Sequence, residues 1–338
     1  MHQKRVVYFD LLNICAALAV VFLHCNGNVH VFSDSLAWKQ ALIIEACMYW
    51  AVPIFFMLSG ANLMGYREKY STPVFFKKRI LRTAIPFLTW SLICAIEKGI
   101  SPMKIGFRTF INQIFTCQIE SIYWFFIPLF SIYLALPVLS LLKEHRKILW
   151  YMAGGALLLH SVLPSLFSYI GLDWNGHLSM LTVGGYLIFP ILGYLFATTD
   201  FTRWQRIGIY LLGFFGAGLR FGMTLYLSLK NNTLNRMFFD YLGYYSVFLA
   251  CAVFVFFKYC PLVHKIAASE KACKVLKTLS GCSFGVYLMH MIIFRFFERF
   301  LTPFTWQWRL LMPFAIYAIA LGVTYLLKKI PGVRVIIA

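Results

Sequence analysis

A chain of 338 residues that is 61% hydrophobic and only 13% charged lacks the polar groups to cover a soluble surface, so most of its apolar excess must face lipid. Its formal charge of +19 would suit a nucleic-acid binder, but the Lys and Arg residues fall in short loops between apolar runs and build no single basic face. Nucleic acid is thereby excluded as a partner, and the lipid bilayer takes its place.

A spanning helix needs roughly 20 mainly apolar residues. In chain order the runs that meet this are 6–28, 40–64, 79–97, 121–142, 148–168, 179–198, 207–229, 238–257, 278–298 and 309–327. The first follows the basic pair Lys4 and Arg5 and could pass for a signal peptide. It is too long for one, carries Asp10, Asn13 and His24, and ends without a small-x-small site. Between the third and fourth runs, residues 101–117 are rich in Met, Phe and Ile around Lys104 and Arg108, a pattern for an amphipathic helix lying along the interface. No linker, low-complexity run or appended soluble domain interrupts the pattern. The expected fold is an all-α polytopic membrane protein of about ten transmembrane helices, a single integral membrane domain over residues 1–338.

Lys and Arg counts set the orientation. With the N-terminus in the cytoplasm and sides alternating, the inner segments hold 21 basic residues and the outer segments nine, with Arg220 alone inside a span. That asymmetry predicts both termini in the cytoplasm and a multi-pass protein of the cell membrane.

Ionisable groups within spans are costly and mark functional sites by default. Here they are His24, Glu45, His160, Arg220, Asp240 and His290. Asn13 and His24 are about three turns apart on the first helix, with Asp10 close to the same face, so a polar stripe looks into the bundle. His24 lies near the outer end of that span, and Glu45 lies at a similar depth on the next. A carboxylate reaching His24 would fix its tautomer and raise its basicity, as a general base requires. A packing histidine bonded across helices fits the sequence equally, and a structural hydrogen bond is the simpler role for Glu45. Arg79 and Arg82 share a face at the inner end of the third span behind Lys77 and Lys78. They suit either bidentate phosphate binding or topological anchoring. On the ninth span Ser283, Tyr287 and His290 share a face. Arg220 sits at comparable depth among Gly213, Gly216, Gly218 and Gly222, which permit close helix packing. His160 precedes Pro164, and Asp240 is near the outer interface; both read as structural or solvated.

Nine cysteines are scattered without a CxxC or a Cys/His metal spacing, so free thiols and no metal are expected. Walker A, GxSxG, HExxH and Rossmann patterns are absent, which leaves ATP-driven transport, serine hydrolysis and zinc proteolysis without support.

Six runs in order resemble the acyltransferase-3 family of integral membrane O-acyltransferases. They are Phe9-Asp10-Leu11-Leu12-Asn13 leading to His24, then Val52-Pro53 through Ser59-Gly60, then Lys78-Arg79-Ile80-Leu81-Arg82 leading to Pro86 and Trp90. Tyr123-Trp124-Phe125-Phe126 with Tyr133 to Pro137 follows, then Phe189-Pro190 to Tyr194, and Ser283-Phe284-Gly285-Val286-Tyr287-Leu288-Met289-His290 closes the series. The resemblance implies transfer of an acyl group, usually acetyl from acetyl-CoA, to a hydroxyl of a cell-envelope or surface glycan, or of its glycolipid precursor. It makes His24 the catalytic histidine, as base or acyl carrier, with Glu45 and His290 as further catalytic candidates. It assigns the donor to Arg79 and Arg82, with Lys78 and Arg220 as supporting cations, and brings in Asp10, Asn13, Ser59 and Tyr287 as lining residues. One departure stands out: the family usually has an Arg eleven residues before the His, where this chain has Asn13. Many relatives also carry an extramembrane esterase-like domain; here the acceptor is expected to be acylated by the membrane domain itself or passed to a partner. The rival reading is a glycolipid or small-molecule transporter or flippase using the same polar path, weakened by the lack of an evident inverted repeat. Acceptor identity, acyl chain length and oligomeric state, a homo-oligomer included, stay open.

Overall fold

The computed structural model describes residues 6–180, 182–303 and 305–337; Lys4 and Arg5 lie outside the described residues. Every regular element among those described is helical. The first is α1 (Val7–Cys25). Next come α2 (Leu36–Met48) and α3 (Ala51–Leu63), separated only by Tyr49 and Trp50. α4 (Thr72–Arg79) runs through a π turn, Ile80–Ala84, into α5 (Ile85–Glu97). Two short helices follow, α6 (Pro102–Ile105) and α7 (Phe107–Phe115). A 3-10 turn at Ser121–Phe125 leads into α8 (Phe126–Leu139). α9 (Arg146–Leu157) continues through a second π turn, Leu158–Val162, into α10 (Leu163–Tyr169). The rest are α11 (Ile188–Thr198), α12 (Arg203–Asn231), α13 (Tyr244–Tyr259), α14 (Pro261–Ala267), α15 (Glu270–Glu298), α16 (Trp306–Leu310) and α17 (Met312–Leu327). Both π turns have the same cause. Pro86 and Pro164 each remove an N–H and crowd the carbonyl four residues earlier, which belongs to Arg82 in one case and His160 in the other, so the ladder slips by one residue there.

Seven helical stretches among the described residues are long and apolar enough to cross a bilayer, and α13 with α14, bent by 43°, makes an eighth if the pair is one span. Two shorter apolar helices, Gly185–Thr198 and Met312–Leu327, stand where runs 179–198 and 309–327 were read. Each of the ten expected runs therefore contains a helix, while seven or eight meet the length of a full crossing. Several starts move outward from the sequence reading. The third span begins at Thr72 rather than 79, the seventh at Arg203 rather than 207, and the ninth at Glu270 rather than 278. Polar first turns explain the shift: hydropathy registers only the apolar length of a helix. The added turns here carry caps instead, a Thr202/Gln205 capping box and the Ser269 side chain accepting from Ala272 N–H. Residues 101–117 form the expected amphipathic piece, with Phe110 and Ile114 of α7 buried.

α1 is apolar on most of its surface, as a helix enclosed by others must be, and touches α3, α13, α15 and α17. Two glycine contacts set the closest approaches. A Cβ on Gly60 of α3 would fall 1.9 Å from the Pro190 carbonyl oxygen, and one on Gly193 of α11 would fall 2.0 Å from that of Met57. Across the bundle, Gly213 and Gly216 seat α12 on Ala252 and Tyr245 of α13. Gly218 and Gly222, read as packing glycines on the same helix, have nothing within 4 Å.

Candidate active site

α3, α4, α8, α11, α13, α15 and the start of α1 enclose a cavity of about 980 Å³, at the upper end of the ordinary size of a ligand site. Seven of the residues singled out from the sequence line it: Asp10, Asn13, Ser59, Arg79, Arg82, Ser283 and Tyr287. Its mouth is built from loop and helix-end residues, among them Glu68, Lys69, Lys143, Glu144, Asp200 and Lys258. Lys143 bridges Glu68 and lies 3.3 Å from Glu144. Lys258 closes the end of α11 by donating to the carbonyls of Phe196, Ala197 and Thr199 at 3.1, 3.0 and 2.6 Å, with Asp200 at 3.8 Å.

Arg79 ends α4 with its guanidinium 5.7 Å and 5.5 Å from the ring centroids of Phe75 and Tyr133, and its buried Nε has no hydrogen-bond partner. A buried donor left over at a cavity wall fits an anionic ligand. Arg82 reaches the same wall from the π turn. Lys78 does not line the cavity; its ammonium sits 3.7 Å from the Tyr70 ring centroid.

The inner end of the polar stripe holds two helices in register. Asn13 Nδ2 donates to the backbone oxygen of Ser280 at 2.9 Å and to its Oγ at 3.1 Å, tying α1 to α15. The family's usual Arg is thus replaced here by a helix clamp, and the cavity's cations come from elsewhere in the chain. From that clamp α1 and α15 run in parallel. Eleven residues on from Asn13 and ten on from Ser280, a rise of about 15–16 Å, His24 meets His290 with ring centroids 5.1 Å apart. Tyr287, one turn below and on the cavity wall, has its ring 6.0 Å from that of His290. His24 is half-buried, whereas His290 is 1% exposed. Two cross-bonds pin α15 on either side of this point, Tyr287 OH to the Ile122 carbonyl and Tyr123 OH to the Leu288 carbonyl at 2.8 Å.

Glu45 does not partner His24. It accepts from Asn26 Nδ2 at 3.5 Å and lies 3.8 Å from Arg220. The reason is azimuth: α2 turns that carboxylate toward α12, where a buried guanidinium demands an anion. Arg220 is correspondingly outside the cavity, sealed over Tyr49 and Phe239 with its guanidinium carbon 3.1 Å and 4.7 Å from their ring centroids. His160 accepts from Met180 N–H at 3.2 Å, a structural role as read. The sequence reading passed over Lys69, Lys143 and Lys258 at the mouth, counting them only as anchors. It also passed over Glu120, which binds Arg295 and Lys98 at 2.8 and 3.2 Å. Nothing in the local pattern separates these from other loop charges.

Fold and site together define a multi-pass membrane protein whose polar cavity opens among basic loops and reaches Tyr287, one turn below His24 and His290, neither of which lines it. The chain matches the family profile described as an acyltransferase domain over residues 6–328, and it belongs to the acyltransferase-3 family. No curated protein and no solved structure matches it.

Proposed function

We propose that this membrane acyltransferase takes acetyl from cytoplasmic acetyl-CoA and passes it to a hydroxyl of a cell-envelope or surface polysaccharide sugar, or of its lipid-linked precursor. In this reading the chain is one domain of ten spans in the cell membrane with both termini in the cytoplasm. One observation carries it: a single cavity joins a cationic wall, Arg79 and Arg82, to Asn13 and Tyr287 on the α1 and α15 stripe, and His24 lies farther along that stripe, beyond the cavity lining. The phosphates of the donor are held at that wall by charge-assisted bonds. The pantetheine arm extends past Asn13, Ser283 and Tyr287, and the thioester arrives below the histidines. His24 takes the proton of the acceptor hydroxyl, the alkoxide oxygen attacks the thioester carbonyl, and the thiolate leaves. The alternative route through an acyl-imidazole on His24 uses the same placement.

The test is thiol release from acetyl-CoA by purified protein in nanodiscs, with and without a lipid-linked glycan preparation. Acceptor-dependent release is expected from the wild type. His24→Gln, shown monodisperse, should lose about 10²–10⁴-fold of that rate while still binding CoA. Near-normal transfer by His24→Gln would remove His24 from the chemistry.

A further inference from the structure

His290 is held more tightly than packing requires. Its Nδ1 lies 2.8 Å from the Tyr287 carbonyl oxygen and 3.2 Å from that of Val286. Carbonyl oxygens only accept, so Nδ1 carries the hydrogen and Nε2 is left with its lone pair. That Nε2 is buried and makes no hydrogen bond in the structure. Tyr287 and Tyr123, which pin this segment, direct their hydroxyls elsewhere, donating to the carbonyls of Ile122 and Leu288. A polar ring packed against it is His24, centroid to centroid 5.1 Å, whose own nitrogens make no hydrogen bond within the described residues. An acceptor of fixed tautomer therefore stands behind a more exposed imidazole. Catalytic hydrogen bonds are commonly long before substrate binds and shorten in the loaded complex.

We infer that His290 is a positioning residue for the transfer: its Nε2 accepts a hydrogen bond from His24 and so turns the other nitrogen of His24, as a lone pair, toward the acceptor hydroxyl. This rests on the acyl-transfer reading above and deepens it. The relay runs from the Tyr287 carbonyl to His290 N–H, from His290 Nε2 to His24 N–H, and from His24 to the hydroxyl. The step balances without any further reactant. The hydroxyl proton moves to His24, a C–O bond forms as the thioester C–S bond breaks, and the departing thiolate takes the proton back from His24. While His24 is protonated, its N–H bond to His290 stabilises the imidazolium, the task a buried carboxylate performs in serine hydrolases. Glu45, turned away toward Arg220, is not available for it.

The experiment compares His290→Leu, His290→Gln and His290→Asn in nanodiscs, with CoA affinity measured alongside turnover. His290→Leu should lose roughly 10–100-fold in kcat with the KM for acetyl-CoA unchanged, the scale usual for an orienting partner. His290→Gln, whose side-chain oxygen can accept from His24, should recover most of that loss, and the shorter His290→Asn should not. In a His24→Gln background, His290→Leu should add less than about twofold, because residues acting as one unit are non-additive. A second readout needs no acceptor: ¹⁵N-histidine NMR should show a single His24 tautomer in the wild type and a mixture in His290→Leu. Normal kcat in His290→Leu, equal rates in the Gln and Asn variants, or losses that multiply with His24→Gln would each overturn the inference. A wild type that releases no thiol would instead remove the acyl-transfer reading, and this inference with it.

Discussion

Arg220 and Glu45 are each sealed from water, the first 1% and the second 4% exposed, and each is the other's only ion-pair partner among the described residues. Removing one member strands the other, which typically costs about 3–5 kcal/mol, whereas removing both with apolar or neutral shapes is close to neutral. Arg220→Met should therefore lower the melting temperature in detergent strongly, and Arg220→Met with Glu45→Gln should regain most of it. A single mutant that melts with the wild type would mean that the pair contributes nothing. In the proposed reaction Arg79 and Arg82 behave differently, because there their partner is the donor. With charge-assisted bonds at about 1.5–3 kcal/mol each, Arg79→Ala with Arg82→Ala should weaken acetyl-CoA binding roughly 100-fold or more by calorimetry and leave folding intact. Added salt should weaken wild-type binding as well, since these contacts are ionic and near water. Unchanged affinity would return the two arginines to an anchoring role. That Asp10, Asn13, Ser59 and Tyr287 would stand out was legible in the sequence, since a polar group in an apolar run announces itself, and all four line the cavity. The partners of such groups were not legible. Depth follows from position along a helix, but azimuth is set by packing, and Glu45 was read at the right depth facing the wrong neighbour.

At the scale of elements, hydropathy located a helix in every one of the ten runs and missed mainly the polar turns that precede them. It also treated four glycines on α12 alike, although only Gly213 and Gly216 meet another helix. The distinction is testable. Gly60→Ala would place a methyl 1.9 Å from backbone of α11, which no rotamer can relieve, so α3 and α11 must part. Overpacking of this kind costs about 1–3 kcal/mol or more. Gly222→Ala meets open space in a helix interior and should be neutral or stabilising by about 0.5–1 kcal/mol. Thermal unfolding of the two variants in the same detergent should move in opposite directions, and a destabilised Gly222→Ala would point to a packing surface on α12 that the monomer does not supply.

For the molecule as a whole, the proposed sidedness can be set beside the positions of the charges. The charge count assigns Lys69, Arg79, Arg82, Lys143 and Lys258 to the inner side, and the structure gathers all five around one cavity. It assigns Lys98 and Arg295 to the outer side, and these share Glu120. The weak step is run 179–198, because α11 has only 11 residues and rises about 16 Å, half of a hydrocarbon core near 30 Å. In the ten-span arrangement the segment before it supplies the difference. Met180 N–H is bound by His160, which lies about 21 Å along its helix from Arg146, so in the ten-span arrangement residues 182–187, which end in the 3-10 turn Gly185–Leu187, stand at membrane depth against protein. Val183 within it is fully buried, as non-helical backbone at that depth must be. At the other end, Lys258 holds the last carbonyls of α11 at the basic mouth. In the proposed ten-span arrangement α11 and residues 182–187 complete one crossing between them. Reporter fusions at Asp173 and at Asp200 should consequently lie on opposite sides, with Asp200 and a fusion after residue 338 both cytoplasmic. If Asp173 and Asp200 report the same side, run 179–198 is re-entrant, every later helix changes direction, and the ten-span arrangement falls.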